Sequence, residues 1–273
     1  MSKETKEGKA RITITLRNDL LPLLDNFIDG EKIRNRSHAI EFILGQHLGV
    51  GIKTAVILAG SDQEGNIHAL TDVRHRPVIE YLFESLKEFG IRHVVLVIDN
   101  NGAELKEHVG DGSQWGIRAT VVNDAGSNGT AAALKLVEPL IDQTFLLLYS
   151  DVLARINLND LVEHHKASDS VGTVALTYKR AIEEYGVARM EGSKIVEFSE
   201  KPGKDSPHGL VNAGIYLFEP EVFSYMKDTE SLETQVLPPL AEQGELSGYP
   251  FQGKWYDIAT QNGRTKADTD WGK

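Results

Sequence analysis

Three short apolar runs constrain this chain more than any other feature. Ala55-Val56-Ile57-Leu58-Ala59 closes on Gly60, a second run covers His93–Ile98, and Phe145-Leu146-Leu147-Leu148-Tyr149 stops at Ser150-Asp151. Unbroken apolar runs of this length suit strands buried on both faces, as in a parallel sheet. Helical spacing separates them, over residues 77–89 and about 129–141. Alternating strands and helices predict an α/β domain with a mainly parallel sheet, Rossmann-like, over residues 53–273. Ligands of such sheets bind beyond the carboxyl ends of the strands, which draws Gly60–Asn66, Asp124–Thr130 and Asp151 around one crevice.

Composition narrows the partners. The chain has 273 residues, 41% hydrophobic, enough for buried cores, and no cysteine, so disulfides, thiolate metal sites and a cysteine nucleophile are excluded. No apolar run is long enough to span a bilayer and the first ten residues are polar, so a cytoplasmic protein without membrane contact is expected. The net charge of −11 argues against nucleic acid, but it is unevenly spread. Residues 1–50 hold eight Lys/Arg against seven Asp/Glu, so the excess acid lies in the rest. A basic arm ahead of an acidic body is a local field, which total charge conceals.

Behind that arm, Arg11-Ile12-Thr13-Ile14-Thr15-Leu16-Arg17 alternates strictly, with Ile12, Ile14 and Leu16 on one face of a predicted strand. Leu20–Ile28 then recurs at helical spacing with Pro22 in the first turn, Gly30 breaks the pattern, and Asn35 is an N-cap type before Ala39–Leu44. A strand and two helices in residues 1–48 cannot bury their own apolar faces, and a lone strand needs a partner, most simply its copy in a second chain. The segment resembles the ribbon–helix–helix DNA-binding family through RITITLR and NRSHAIEFIL. That resemblance implies a homodimer whose ribbon enters the major groove of double-stranded DNA, with Arg11, Thr13, Thr15 and Arg17 on the groove side. Asn35, Arg36 and Ser37 would then hold a phosphate at the second helix. A plain dimerisation arm is the alternative.

A second resemblance, over residues ~53–270, is to the sugar-phosphate nucleotidyltransferases. Those enzymes join a nucleoside triphosphate to a sugar 1-phosphate with Mg²⁺. AVILAG, NGTAAAL, LLLYSDVL, YGVARMEGSKIVEFSEKP, VNAGIYLF and WYDIAT carry it, in the family's order. It implies nucleotide contacts at Leu58, Ala59, Gly60, Ser61, Asp124, Asn128, Gly129 and Thr130. It also implies sugar contacts at Gly186, Glu200, Lys201 and Asn212, and Mg²⁺ held by Asp151 and Asp257. For Asp151 the alternative is a strand-end cap. Asp124 stands where the family places a base-reading Gln; a carboxylate only accepts hydrogen bonds, which leans toward guanine.

The chain also departs from that pattern. The family's first loop carries an Arg and, further on, a Pro-Lys pair that bind the triphosphate. Here the loop is Gly60-Ser61-Asp62-Gln63-Glu64-Gly65-Asn66, and about nine residues containing the Lys are missing before Arg76-Pro77. Asp62 and Glu64 are expected to oppose a triphosphate, with Arg74 or Arg76 as possible substitutes if the loop folds back. The reading favoured by the sequence is therefore a DNA-binding transcription regulator that senses a nucleotide sugar with catalysis lost. An active sugar-1-phosphate nucleotidyltransferase that uses its N-terminal domain for dimerisation or DNA tethering is the alternative. A scaffold whose second domain binds nothing is a third. His164-His165, adjacent on a predicted helix and unable to face one ligand together, are expected on the surface.

Overall fold

The computed structural model describes residues 12–30, 33–48, 51–124, 126–127, 129–180, 182–203, 208–226 and 230–272. The chain divides into two compact units, residues 1–48 and 49–273.

In the first unit, helices α1 (Leu21–Asp25) and α2 (Arg36–Leu48) form where the apolar spacing placed them. Pro22 sits in the first turn of α1. Asn35 caps α2, its Oδ1 accepting the His38 N–H at 3.0 Å. Arg36 forks onto Asp25, with Nε–Oδ1 at 2.7 Å and Nη2–Oδ2 at 2.8 Å, which ties one helix to the other. The predicted strand is not formed: Ile12–Arg17 joins no sheet among the described residues. Among the described residues of this unit only Leu24 and Ala39 are buried, while Ile12 is 67% exposed and Leu23 56%.

The second unit runs, in chain order, β1 (Thr54–Leu58), β2 (Asp72–Val73), β3 (Arg76–Pro77), α3 (Val78–Phe89), β4 (His93–Ile98), α4 (Ala103–Val109), β5 (Arg118–Asn123) and α5 (Thr130–Lys135). It continues with β6 (Phe145–Tyr149), β7 (Val152–Ala154), α6 (Leu158–Ser168), β8 (Gly172–Lys179), β9 (Gly186–Glu191), β10 (Lys194–Glu200) and β11 (Gly209–Phe218). Last come α7 (Leu232–Gln235), α8 (Leu237–Glu242), β12 (Leu246–Pro250), β13 (Trp255–Asp257) and α9 (Gln261–Asp270). Nine strands form one sheet in the order β5-β4-β1-β6-β11-β8-β12-β10-β9.

The sheet is mixed rather than mainly parallel. β5, β4, β1 and β6 are parallel neighbours. From β6 onward most pairings are antiparallel. The cause is local: only Gly192-Ser193 separates β9 from β10, a two-residue connection that forces a hairpin. Along β1, Ala55 and Ile57 join one core with α3, α4 and α9, while Val56 joins the other with α5, α7 and α8. Burial on both faces is why the predicted runs read as continuous rather than alternating.

His164 and His165 are not surface residues. His165 is buried, its Nδ1 2.7 Å from Thr173 Oγ1 and its Nε2 3.1 Å from Glu219 Oε1. Burial holds its pKa below the usual histidine range, against the pull of Glu219. The His164 ring meets Tyr249 edge-on at 5.4 Å.

Candidate active site

Beyond the carboxyl ends of the parallel strands lies a crevice of about 450 Å³. Leu58, Gly60, Ser61, Asp124, Gly129 and Thr130 line it, together with Asp151. Ala59 is buried behind that wall, its N–H bonded to the Val97 carbonyl at 2.8 Å, and Asn128 lies outside the described residues. A larger hollow of about 780 Å³, between α3 and the segment after β7, shares only Tyr149 with the crevice and holds none of the predicted site residues.

On the nucleotide side the polar groups are tied to one another. Asp99, which ends β4, accepts the Ser61 N–H at 2.7 Å and the Ser61 hydroxyl on Oδ2, and the Asn101 N–H at 2.9 Å on Oδ1. Burial pushes its pKa up, but these donors outweigh it and hold the carboxyl below its usual range. Asp124 Oδ1 accepts the Gly126 N–H at 2.8 Å. Thr130 Oγ1 donates to Glu233 Oε2 and accepts the Leu232 N–H, both at 2.9 Å, while Tyr149 donates to Glu233 Oε1. Gly129, at φ +108°, could carry no side chain, since a Cβ there would stand 2.2 Å from the Glu230 carbonyl oxygen.

The expected opposition of Asp62 to a triphosphate takes a different form in the structure. Asp62 Oδ1 accepts the N–H groups of Glu64 at 2.9 Å and Asn66 at 2.8 Å, while Oδ2 faces Asn66 Nδ2 at 2.9 Å and His68 Nε2 at 3.0 Å. The side-chain and backbone donors of Asn66, then that of Glu64 and the charge of His68, hold the carboxyl at about 2 against desolvation. Its charge is taken up within its own turn. Neither arginine replaces the missing cations. Arg74 Nη1 bonds the Trp271 carbonyl at 2.6 Å, and Arg76 is held by Glu80 at 3.0 Å and Glu84 at 2.7 Å. His68, buried and flanked by Ile67 and Ala69, is the one basic side chain among the described lining residues.

The side carrying the predicted metal and sugar residues is built differently. β7 and β13 pair antiparallel with Val152 opposite Asp257, and the Ile258 N–H bonds the Asp151 carbonyl at 2.7 Å. That short ladder sets the two predicted metal carboxylates side by side. Asp257 accepts the Tyr185 hydroxyl at 3.1 Å and the Ala259 N–H at 3.0 Å. Asp151 Oδ1, by contrast, is buried with no hydrogen-bond partner among the described residues. Desolvation, then the charge of Asp257, pushes the Asp151 carboxyl up to about 6, with His68 pulling the other way.

Glu200 Oε2 is likewise buried and unpartnered among the described residues, and burial followed by the charge of Glu233 raises its pKa against Lys201. Gly186 lies opposite Glu200 in the β9–β10 ladder, where a Cβ would meet Glu200 Oε2 at 2.7 Å and the Phe198 ring at 2.6 Å. Lys201 is exposed at φ +47°. Asn212 turns inward: its Nδ2 donates to the Tyr216 hydroxyl at 2.6 Å and its Oδ1 accepts the Gly214 N–H at 3.0 Å.

Sequence reasoning missed Asp99, His68, Tyr185 and Glu233. Asp99 and Tyr185 carried a signal, an acid closing an apolar run and an aromatic directly before Gly186; Glu233 carried none. Of the predicted DNA-contacting residues, Arg11 lies outside the described residues, and Thr13 and Thr15 are exposed. Arg17 pairs with Asp19 at 3.2 Å, Arg36 with Asp25, and Asn35 caps its helix, so these three have intramolecular partners; Ser37 is exposed in the first turn of α2.

The Nucleotidyl transferase family model matches residues 68–270. Mannose-1-phosphate guanyltransferase beta-B of Xenopus laevis is 30% identical over 199 residues, covering 69% of this chain and 54% of that protein. Probable mannose-1-phosphate guanylyltransferase 1 of Oryza sativa subsp. japonica is 32% identical over 197 residues, with the same coverage. The chain thus spans about half the length of the curated relatives it matches. Among solved structures, a putative glucose-1-phosphate thymidylyltransferase from Bacillus anthracis superposes with a TM-score of 0.71 at 23% identity, covering 82% of this chain and 98% of that one. A UDP-glucose pyrophosphorylase complexed with UDP-glucose gives 0.71 at 20% identity, covering 81% and 98%. At these identities the structural likeness speaks for the nucleotidyltransferase Rossmann-like α/β fold alone.

These matches correct the reading favoured by the sequence. A DNA-binding transcription regulator with a silent transferase body conflicts with curated relatives named as transferases, and the transferase alternative is the better supported of the two. With its sheet, its crevice and a matching stretch of about three-quarters of its length, the chain belongs to the Nucleotidyl transferase family.

Proposed function

We propose that the second unit is a sugar-1-phosphate nucleotidyltransferase. In the reaction, a phosphate oxygen of the sugar 1-phosphate attacks the α-phosphorus of a nucleoside triphosphate, and pyrophosphate leaves with the displaced bridging oxygen. The observation that carries this reading is the buried, unpartnered Oδ1 of Asp151, a crevice-lining residue whose neighbour in the chain pairs with Asp257. A carboxylate oxygen without a donor is costly unless a ligand completes it. Two carboxylates suit Mg²⁺, which takes one or two protein carboxylates together with phosphate oxygens. Among the described residues no group of three or more potential metal ligands forms, so this is no all-protein cage. When bound there, Mg²⁺ would offset the charge shared by the two phosphates. The surrounding residues do the rest: Ser61, fixed by Asp99, and Gly129, fixed against Glu230, shape the nucleotide wall, and Glu200 offers acceptors to sugar hydroxyls.

Guanine and mannose are the first base and sugar to try. The curated relatives are named for them, and Asp124 on the crevice wall presents acceptor chemistry that suits the N1–H and amino donors of guanine. Incubation of the full chain with GTP, mannose 1-phosphate and Mg²⁺ should release pyrophosphate. Silence across a panel of nucleoside triphosphates and sugar 1-phosphates overturns the proposal.

For the first unit we propose self-association into a homodimer. Ile12, Ile14, Leu23 and Phe27 are exposed on a unit in which two apolar side chains are buried among the described residues. An extended segment with alternating apolar residues pairs most simply with its own copy. Sedimentation should give a dimer for the parent and a monomer for Ile14→Lys; an unchanged mass for the variant counts against it.

A further inference from the structure

The crevice presents an electrostatic puzzle. Its described lining carries Asp62, Asp99, Asp124 and Asp151, but neither lysine nor arginine. Transfer between phosphates needs positive groups near them. A lysine approaches Asp257 from outside that lining, with a second lysine near it. Lys179 ends β8 and Lys266 lies on α9, and Lys179 feels the charges of both Lys266 and Asp257.

Lys179 is held in an unusual way. Its Nζ stands 4.2 Å from the centroid of the Trp255 ring, half-buried, and makes no hydrogen bond or ion pair with a described residue. The ring beneath it is held from two sides. Trp255 Nε1 donates to the Ala213 carbonyl at 3.0 Å, and Tyr185 meets the indole edge-on at 5.7 Å. The same Tyr185 donates its hydroxyl to Asp257, so the aromatic support of the lysine and the second metal carboxylate form one structure. Asp257 already accepts two hydrogen bonds and lies beyond ion-pair distance of Lys179. Lys179 thus keeps its ammonium donors without an acceptor among the described residues, beside a carboxylate already engaged by two other donors.

We propose that Lys179 binds the phosphate of the sugar 1-phosphate, with Lys266 adding to the field, and so supplies from β8 the positive charge that the nucleotide loop lacks. The ligand class is a phosphate monoester dianion. The inference rests on the transferase reading above and adds to it a residue for the acceptor substrate. Its position on the sugar side predicts that its loss weakens acceptor binding and spares the nucleotide.

Calorimetric titration of the full chain with mannose 1-phosphate, and separately with GTP, both with Mg²⁺, tests it. Lys179→Met should weaken mannose 1-phosphate binding by about tenfold or more, Lys179→Arg should keep it within about threefold, and GTP affinity should hold in both, as expected for a single charge-assisted contact. If Lys179→Met loses GTP binding too and proves unfolded, Lys179→Gln, which keeps the polar stem end, takes its place. Unchanged mannose 1-phosphate affinity in a folded neutral variant overturns the inference. Pyrophosphate release by the parent separates the two claims. Turnover with binding indifferent to Lys179 overturns this inference alone. No turnover with Lys179-sensitive binding overturns the transferase reading and supports the lysine as an anion contact. A parent that neither binds nor turns over overturns both.

Discussion

The two sides of the crevice satisfy their polar groups in opposite ways. On the nucleotide side Asp62, Asp99 and Thr130 are held by neighbours in the same fold, so the wall is shaped before any ligand arrives. On the side proposed for metal and sugar, Asp151 and Glu200 each bury a carboxylate oxygen with no donor among the described residues. The first arrangement gives rigidity, and the second leaves free energy to be recovered on binding. The difference separates residues that form the site from residues that use it.

Removing an unsatisfied carboxylate is the strongest way to break this contrast. Asp151→Asn should lower kcat for pyrophosphate release by about a hundredfold or more, the scale of losing a charge-stabilising group at a reacting phosphate. Disturbing the rigid side should act on stability instead. Gly129→Ala forces a Cβ onto the Glu230 carbonyl at a left-handed backbone position, and urea unfolding should show a loss of about 2 kcal/mol.

The raised pKa of Asp151 gives a third, smaller effect. The folded domain holds a proton near pH 6 that the unfolded chain releases near its ordinary value of 3.8. Its contribution to stability is therefore complete below about pH 4 and lost as the pH rises through about 6. Without metal, Asp151→Asn should melt above the parent at pH 8, by roughly 1–3 kcal/mol of stability, with the gap closing toward pH 4. A gap independent of pH would show that the buried carboxylate carries no such cost. The smallest change belongs to the nucleotide turn: Asp62→Asn should raise the KM for GTP by about two- to fivefold at unchanged kcat, because it loosens a turn without touching the metal pair.

How much of this was legible depended on whether a residue's role was local. β1, β4 and β6 announced themselves, because a strand buried on both faces must be apolar throughout. Asp151 was visible as the acid that stops such a run, although nothing in the sequence showed that its Oδ1 would lack a donor. The hairpin of β9 and β10 was hidden, since alternation alone does not set strand direction. His165 was misjudged because its partners, Thr173 and Glu219, come from other elements and make a buried imidazole tolerable. The acids of the first loop were misjudged for a related reason: Asp62 looked like a charge aimed at a ligand, and it is the cap of its own turn.

The three-residue ladder of β7 with β13 has a consequence for how the domain holds together. It joins a carboxylate from the middle of the chain to one that follows the whole antiparallel half, so this carboxylate pair exists only while both ends of that long detour are in place. Any ligand bridging Asp151 and Asp257 therefore works as a clasp on the intervening chain. Its affinity is withdrawn from every partly opened form, and saturation lends the lengthy sugar-side excursion a cooperativity that this small ladder could not provide alone.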